Sequence, residues 1–457
     1  MMDKIEKIFK LKENNTNVKT EITAGVTTFM TMAYILAVNP SILSQTGMDP
    51  TAVLLATCLA SVIGTMCMAF MANLPFVLSA GMGLNAFMAY TVVLGMGYSW
   101  QIALMAVFIE GILFIILSLT NVREAIFNAI PLSLKNAASV GVGVYIAFIG
   151  LQSAGLVVDN PSTLVTVTSF TKDFSTSGIC AVLAVVGTFI TAVLYIRNVK
   201  GSILIGIFGT WILGIICQLT GIYTVDPANG YYSLLPTLAM TDFSKLGETF
   251  GQCFKADFSS VKIFDFIVIM LSFLFVDFFD TLGTLIGVSS KANMLDENGR
   301  LPRVKPALLA DAIATAAGAV LGTSTTTTFV ESSTGVAVGG RTGLTAFTSA
   351  ILFLISMFLA PVFTAIPSFA TAPALLIVGF LMFSNVLKIK FDEDDFTDAI
   401  PAYLCVIAMP LFYSIAEGIS IGVISYTVLN VFCGKAKRVK PIMYILSVLF
   451  VLKYMFL

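Results

Sequence analysis

Apolar residues fill this chain in long blocks parted by short polar connections. Blocks such as ICAVLAVVGTFITAVLYI (179–196) and ILFLISMFLAPVFTAI (351–366) approach the roughly 20 apolar residues that carry a helix across a bilayer. The blocks predict membrane segments near 22–41, 51–72, 76–94, 98–119, 134–157, 178–196, 201–219, 263–290, 306–321, 325–341, 343–366, 372–388, 398–413 and 415–433. A last apolar piece, 441–457, reads as an interfacial or accessory helix. Two segments do not look helical throughout. GTSTTTTFVESSTGVAVGG (322–340) sets a carboxylate, Glu331, among hydroxyls and glycines, and its consecutive threonines Thr325 to Thr328 suit a strand better than a helix. PFVLSAGMGLNAF (75–87) repeats the design, with a proline, an extended-looking FVLSA and then glycines before a helix.

The charge distribution tests the span count independently. Fourteen spans return the chain to its starting side, and with the N-terminus inside, 20 of the 25 Lys and Arg residues fall on the inner face. The outer face keeps only Lys172, Lys245, Lys255 and Lys262, with Lys453 in the tail. That is the asymmetry expected of a cytoplasmic side. A long outer connection, 220–262, divides the spans into two sets of seven, and an odd number per set makes the second insert upside down relative to the first. Echoes agree: GSILIGIFGTWILG in the seventh span answers GISIGVISYTVLN in the fourteenth, and the two Gly-containing designs fall in the third and tenth. The expected fold is an all-α integral membrane protein with 14 transmembrane segments in a 7+7 inverted repeat. Spans 3 and 10 are expected to be broken into a strand and a half-helix.

Composition supports the class. With 57% hydrophobic and 11% charged residues, against about 25% charged in soluble domains, the chain lacks the polar surface to solvate a globule of its size. Seven scattered cysteines without a CxxC pattern read as packing residues, not a disulfide framework or metal site. The segment MMDKIEKIFKLKENN is too charged for a cleaved signal peptide; Ile5, Ile8 and Phe9 with Lys4, Lys7 and Lys12 predict a short interfacial helix instead. DENGR (296–300) and DEDDF (392–396) read as solvated loops. No nucleophile–base pair or metal constellation points to an enzyme, a cofactor or a metal. The net charge of −1 says little about partners, and nothing calls for nucleic acid.

Buried polar residues carry the functional signal. Inverted-repeat transporters bind substrate near the bilayer midplane, where half-helix N-termini point inward, and extended backbone at that depth must be buried or line a cavity. In FLFVDFFDTLGTLIGVSSKANM, Asp277, Asp280, Thr281 and Thr284 are linked by steps of three and four, one polar stripe on an apolar helix. A charge at the bilayer centre costs about 2.5–3.5 kcal/mol even on the lenient insertion scale. With no Lys or Arg in the central turns, desolvation favours the protonated acid, and a carboxyl that gains and loses a proton can couple transport to one. The chain has no histidine, so a proton relay must run through carboxylates and hydroxyls. Asn85 can bond a ligand or a neighbouring helix; Glu110, Asp311 and Glu417 read as packing or vestibule residues; Thr27, Thr28 and Thr31 can line the site.

The motifs TAGVTTFMTMAYILAVNPSIL, LPFVLSAGMGLNAFMAYTVV, DFFDTLGTLIGV and STTTTFVESSTGVAVGGRTGLTA resemble the azaguanine-type hypoxanthine–guanine/adenine permeases of the nucleobase/ascorbate transporter superfamily. The resemblance spans essentially the whole chain. It implies a cytoplasmic segment 1–21, a core domain in two parts (22–120 and 263–367), a gate domain in two parts (121–220 and 368–433), an outer loop 221–262 and a C-terminal segment 434–457. It also implies a purine base between the third and tenth spans, bound by Asp277, Asp280, Glu331 and Asn85, with the three acids as proton-coupling groups. The histidine frequent in the uracil and xanthine branches is absent, which favours the purine branch. Phe278, Phe279 and Phe329 are candidates to stack on the base, with core packing as their other reading.

The expectation is therefore proton-coupled import of a purine nucleobase across the plasma membrane, with the N-terminus and the end of span 14 cytoplasmic. The alternatives are an anion transporter of the same architecture and a uracil or xanthine permease. The identity of the base, sodium in place of the proton, and assembly as a homodimer stay open.

Overall fold

In lipid, backbone N–H and C=O groups must be satisfied within the protein, so apolar blocks of this length become helices. The computed structural model describes residues 2–119, 130–227, 230–236, 240–259, 261–291, 294, 301–391 and 396–456. DENGR and most of DEDDF lie outside those residues, as does the side chain of Phe279.

The first half runs α1 (Met2–Phe9), α2 (Val18–Met32), α3 (Ile35–Leu43), α4 (Pro50–Cys67), β1 (Leu78–Ala80), α5 (Met82–Ala86), α6 (Trp100–Leu119), α7 (Leu132–Ser153), β2 (Val157–Asn160), β3 (Leu164–Val167), α8 (Ile179–Ile196) and α9 (Ser202–Leu219). The second runs α10 (Ile263–Lys291), α11 (Val304–Leu321), β4 (Thr326–Thr328), α12 (Ser332–Val338), α13 (Gly343–Ser356), α14 (Ser368–Phe383), α15 (Ala399–Leu411), α16 (Ile415–Phe432) and α17 (Pro441–Phe456). Among the described residues, ten helices are long and apolar enough to cross a membrane.

Local chemistry sets several boundaries. Asp49 caps α4, its carboxylate taking the Ala52 N–H at 2.9 Å, and Pro50 fills the first helical position, where no N–H is needed. Between α7 and α8, at the predicted end of the fifth span, the chain forms the β2–β3 hairpin. Asn160 closes it by accepting the N–H groups of Ser162 (2.8 Å) and Thr163 (3.1 Å). α5 continues into π-type turns through Phe87–Gly95.

Helices pack through small residues. A Cβ added at Gly379 would sit 2.5 Å from the Gly143 carbonyl oxygen, so α7 and α14 cross with their backbones in contact. Large apolar side chains such as Phe189, Phe380 and Phe432 point outward and are exposed, as a lipid solvent permits. α17 lies against α16, where Ser447 donates to Thr427 Oγ1 at 2.6 Å, and reaches α10 through the Phe275–Phe450 ring pair at 5.7 Å. α1 docks by Phe9 on Phe70 and Phe347.

One buried carboxylate ties the two halves together. Glu21 on α2, fully buried, takes the backbone N–H groups of Arg341 (2.9 Å), Thr342 (3.3 Å) and Thr345 (3.2 Å), and the Thr345 hydroxyl at 2.6 Å. It thus satisfies donors that the start of α13 would otherwise leave open. Glu21→Ala strands those donors inside the protein, a loss of roughly 3 kcal/mol. The substitution is expected to lower the unfolding midpoint of the detergent-purified protein clearly, with Glu21→Gln intermediate; an Ala variant that melts with wild type contradicts this role.

Candidate functional site

β1 and β4 meet as a two-stranded antiparallel pair, with Leu78 opposite Thr328, Ser79 opposite Thr327 and Ala80 opposite Thr326. The ladder runs on at each end: Gly81 N–H donates to Thr325 O at 2.9 Å and Phe329 N–H to Val77 O at 3.0 Å. Position 81 is closely packed, since a Cβ there would lie 3.1 Å from Thr327 Oγ1 and the threonine would have to give by a few tenths of an ångström. α5 and α12 start directly after the strands, and Ser332 on the first turn of α12 accepts the Val77 N–H at 3.0 Å.

The threonines of the second strand are matched to carboxylates from three surrounding helices. Thr325 donates to Glu110 Oε2 on α6 at 2.9 Å, and Thr327 to Asp280 Oδ2 on α10 at 3.3 Å. Thr328 donates to Asp311 Oδ1 on α11, by its N–H at 3.2 Å and its hydroxyl at 3.4 Å. α11 also binds the strand through Thr315, whose hydroxyl donates to Thr326 O at 3.1 Å. Alternation along a strand explains the sorting: Thr325 and Thr327 face one side, Thr326 and Thr328 the other.

Asp277 and Asp311 meet across one hydroxyl. Thr281 Oγ1 lies 2.9 Å from Asp277 Oδ1 and 2.9 Å from Asp311 Oδ2. A hydroxyl has a single proton to donate, so both contacts are hydrogen bonds only when one of the two carboxyls carries a proton. All three residues are buried.

Glu331 precedes α12 and is 6% exposed. Its Oε1 accepts from the hydroxyl of Tyr34 at 2.7 Å, and Tyr34 sits, fully buried, where α2 gives way to α3. One turn on, Thr334 and Thr31 share a 3.0 Å hydroxyl contact. Among the described residues no ion pair reaches Asp280 or Glu331. Asn85, fully buried on α5, accepts at Oδ1 from the Ser324 hydroxyl, while its Nδ2 has no hydrogen-bond partner. A buried amide with unused donors fits a place where a ligand acceptor arrives.

The candidate residues thus gather around one strand pair: Asp280 touches it, Glu331 follows it, Asn85 flanks it, and Asp277 joins it through Thr281 and Asp311. Sequence reading missed Tyr34 and left Asp311 and Glu110 as packing or vestibule residues. Their hydrogen bonds to Thr281, Thr328 and Thr325 place them in the same network. Phe278 packs against Phe114 with ring centroids 6.5 Å apart, and both Phe278 and Phe329 are buried. Among the described residues no cluster of His, Cys, Asp and Glu is arranged to hold a metal ion.

A family model described as "Permease family" matches residues 19–447. The chain belongs to that family. The match bears out the resemblance carried by the four motifs. The permease is 47% identical over 457 residues to a putative permease of Methanocaldococcus jannaschii, covering 100% of this chain and 99% of the relative. It is 44% identical to the guanine/hypoxanthine permease PbuG of Bacillus subtilis (98% and 99% covered) and 39% to the adenine permease AdeP of Escherichia coli (99% and 96%). Its fold is shared with the transmembrane domain of a cyanobacterium bicarbonate transporter, BicA. The TM-score is 0.63 at 14% identity, over 88% of this chain and 97% of that one. SLC26A9 also shares it, at TM-score 0.59 and 10% identity, over 91% and 66%. The permease is a multi-pass membrane protein of a family of transporters, not enzymes.

The shared hydroxyl makes a specific prediction for transport. Thr281→Val keeps the shape and removes the bond between the two acids. Uptake should fall in Thr281→Val and in Asp311→Asn, and the double variant should fall by less than the product of the two factors, because the Thr281 contact is shared by both substitutions. Losses that multiply independently would show that Thr281 does not couple Asp277 to Asp311.

Proposed function

We propose that this permease imports purine nucleobases by proton symport. The observation that carries the reading is Glu331 at the start of α12, beside the paired strands and Tyr34, in a chain whose relatives include guanine/hypoxanthine and adenine permeases. A purine is flat, neutral and edged with alternating donors and acceptors. The Glu331 carboxyl meets an N–H edge, the spare Nδ2 donors of Asn85 meet a ring nitrogen or O6, and Asp280 completes the edge recognition. Asp277, with Asp280 and Glu331, carries the coupling proton, and the Thr281 contact to Asp311 gives that proton a second holder.

In this scheme the chain has 14 segments in a 7+7 inverted repeat, with the third and tenth broken at the strand pair. The core parts (22–120 and 263–367) move against the gate parts (121–220 and 368–433), carrying base and proton from the outer to the cytoplasmic side of the plasma membrane. Protonation before movement leaves the loaded core neutral, which avoids the cost of a bare charge in lipid. The anion reading, prompted by the fold shared with a bicarbonate transporter, meets carboxylates where an anion needs cations. A uracil or xanthine permease remains the nearer alternative, and the competing bases below separate it.

Uptake of radiolabelled hypoxanthine, guanine, adenine, uracil and xanthine into cells lacking their own permeases tests the reading. Saturable purine uptake should collapse with a protonophore. Glu331→Gln removes a charged hydrogen bond of about 1.5–3 kcal/mol, so uptake at low substrate should fall roughly 10- to 150-fold. Well-expressed protein with no purine uptake rejects the function; purine uptake that survives Glu331→Gln rejects the site.

A further inference from the structure

Away from the carboxylates, a cavity of about 690 Å³ opens on the face that carries the N-terminal segment. Glu13 and Asn15 from the turn after α1 line it, together with Asn73 from the link between α4 and β1, Arg303 before α11, and Gly339 and Arg341 after α12. Its volume lies in the roughly 300–1,000 Å³ range of small-molecule sites.

The charges do not balance within the protein. Glu13 is answered by Lys10 at 3.3 Å. Arg303 donates from Nη1 to the Ala72 and Asn73 carbonyls (3.3 and 3.4 Å), and Arg341 from Nη1 to the Val336 and Gly340 carbonyls (2.7 and 2.8 Å). Each guanidinium thus uses one nitrogen on neutral chain oxygens. Among the described residues neither has a carboxylate within ion-pair distance. A guanidinium carries five N–H donors in a fork that suits phosphate, so most of that capacity is unspent.

The backbone adds two further observations. Arg303 is the N-cap of an 18-residue helix and provides no side-chain cap, so the positive end of α11 also faces this region. Asn15 (φ 51°), Asn73 (φ 50°) and Arg303 (φ 68°) all hold left-handed backbone. For an arginine that conformation is uncommon, and such strain persists where the surroundings hold it, ligand clamps among them.

We propose that this cavity binds a phosphate group carried on a polar body, with Arg303 and Arg341 as its counterions. A soluble phosphate ester and an anionic lipid headgroup offer that same chemistry. Arg341 also fastens the end of α12, whose first turn follows Glu331, so occupancy bears on the transport site through a seven-residue helix. That consequence alone rests on the transport reading above; the binding site does not.

The full-length protein in detergent should be titrated with ribose 5-phosphate and with inorganic phosphate at fixed ionic strength, followed by thermal unfolding. The same measurement should be made in nanodiscs with and without phosphatidylglycerol. Neither soluble probe carries a base, so neither competes at the purine site. The expected result is saturable stabilisation by a phosphate-bearing probe, weakened roughly tenfold in Arg303→Gln and less in Arg303→Lys. Purine binding by Arg303→Gln should stay at the wild-type level, which reports an intact fold. A soluble probe that stabilises in detergent assigns the site to a free ester; stabilisation confined to anionic nanodiscs and lost in Arg303→Gln assigns it to lipid. No saturable effect from any of these probes, or an effect that Arg303→Gln leaves unchanged, overturns the proposal. Failure of purine binding in wild type would reject the transport reading and leave this result standing.

Discussion

Hydroxyl groups reach every carboxylate at the centre of this permease. Glu110, Asp277, Asp280, Asp311 and Glu331 accept from Thr325, Thr281, Thr327, Thr328 and Tyr34. Thr281 reaches its acids from helix α10; for Thr325, Thr327 and Thr328 the extended backbone makes this possible. On a helix a threonine hydroxyl folds back on its own chain, as in α2, where Thr27 donates to Thr23 O at 2.8 Å and Thr28 to Ala24 O at 3.1 Å. On a strand the hydroxyl stands clear of its own carbonyls and can cross to a neighbour. Thr325, Thr327 and Thr328 in extended backbone therefore present hydroxyls that a helix of the same sequence would consume.

An extended segment at this depth brings its own unsatisfied N–H and C=O groups, and the rest of the architecture answers them. β1 supplies the ladder, Thr315 takes up the Thr326 carbonyl, and Ser332 takes the Val77 N–H. The helices that carry the acids, α6, α10 and α11, must then approach closely, while α4 holds β1 through the Ser61–Ser79 hydroxyl contact and the Leu78 N–H, which donates to Thr65 Oγ1. The same logic recurs at the edge, where Glu21 and Asn73 satisfy the N–H groups that open α13. At Asp280 and Glu331 neutral donors hold the carboxylates without fixing their charge permanently. A salt bridge to an arginine would keep an acid ionised; a hydroxyl leaves it free to gain and lose a proton, as the proposed symport needs.

Much of this was legible in the sequence, because hydrophobic length is a local signal. Segments read at 201–219, 263–290 and 415–433 coincide with helices Ser202–Leu219, Ile263–Lys291 and Ile415–Phe432 to within a residue or so at each end. Asp277, Asp280 and Glu331 stood out because charges are rare in such blocks. The partners were not legible. Asp311 meets Thr281 across 30 residues and Glu110 meets Thr325 across 215, so nothing near either acid marked it as part of the network. Tyr34 looked like one more aromatic in an apolar block, although it binds Glu331 from 297 residues away. The β2–β3 hairpin did leave a signal, β-branched residues flanking Asn160 and Pro161, but the predicted fifth span ends at 157, the first residue of β2, and no strand is predicted beyond it.

In the proposed cycle base and proton cross together at this hydroxyl-bound group of acids. Purified permease in proteoliposomes enclosing a pH-sensitive dye, with the membrane potential clamped at zero, tests it most directly. Hypoxanthine, guanine or adenine added outside should acidify the lumen in step with base uptake in wild type, and Asp280→Asn should abolish the acidification. Base accumulation with no change in lumenal pH, or acidification unaltered by that substitution, would contradict the account.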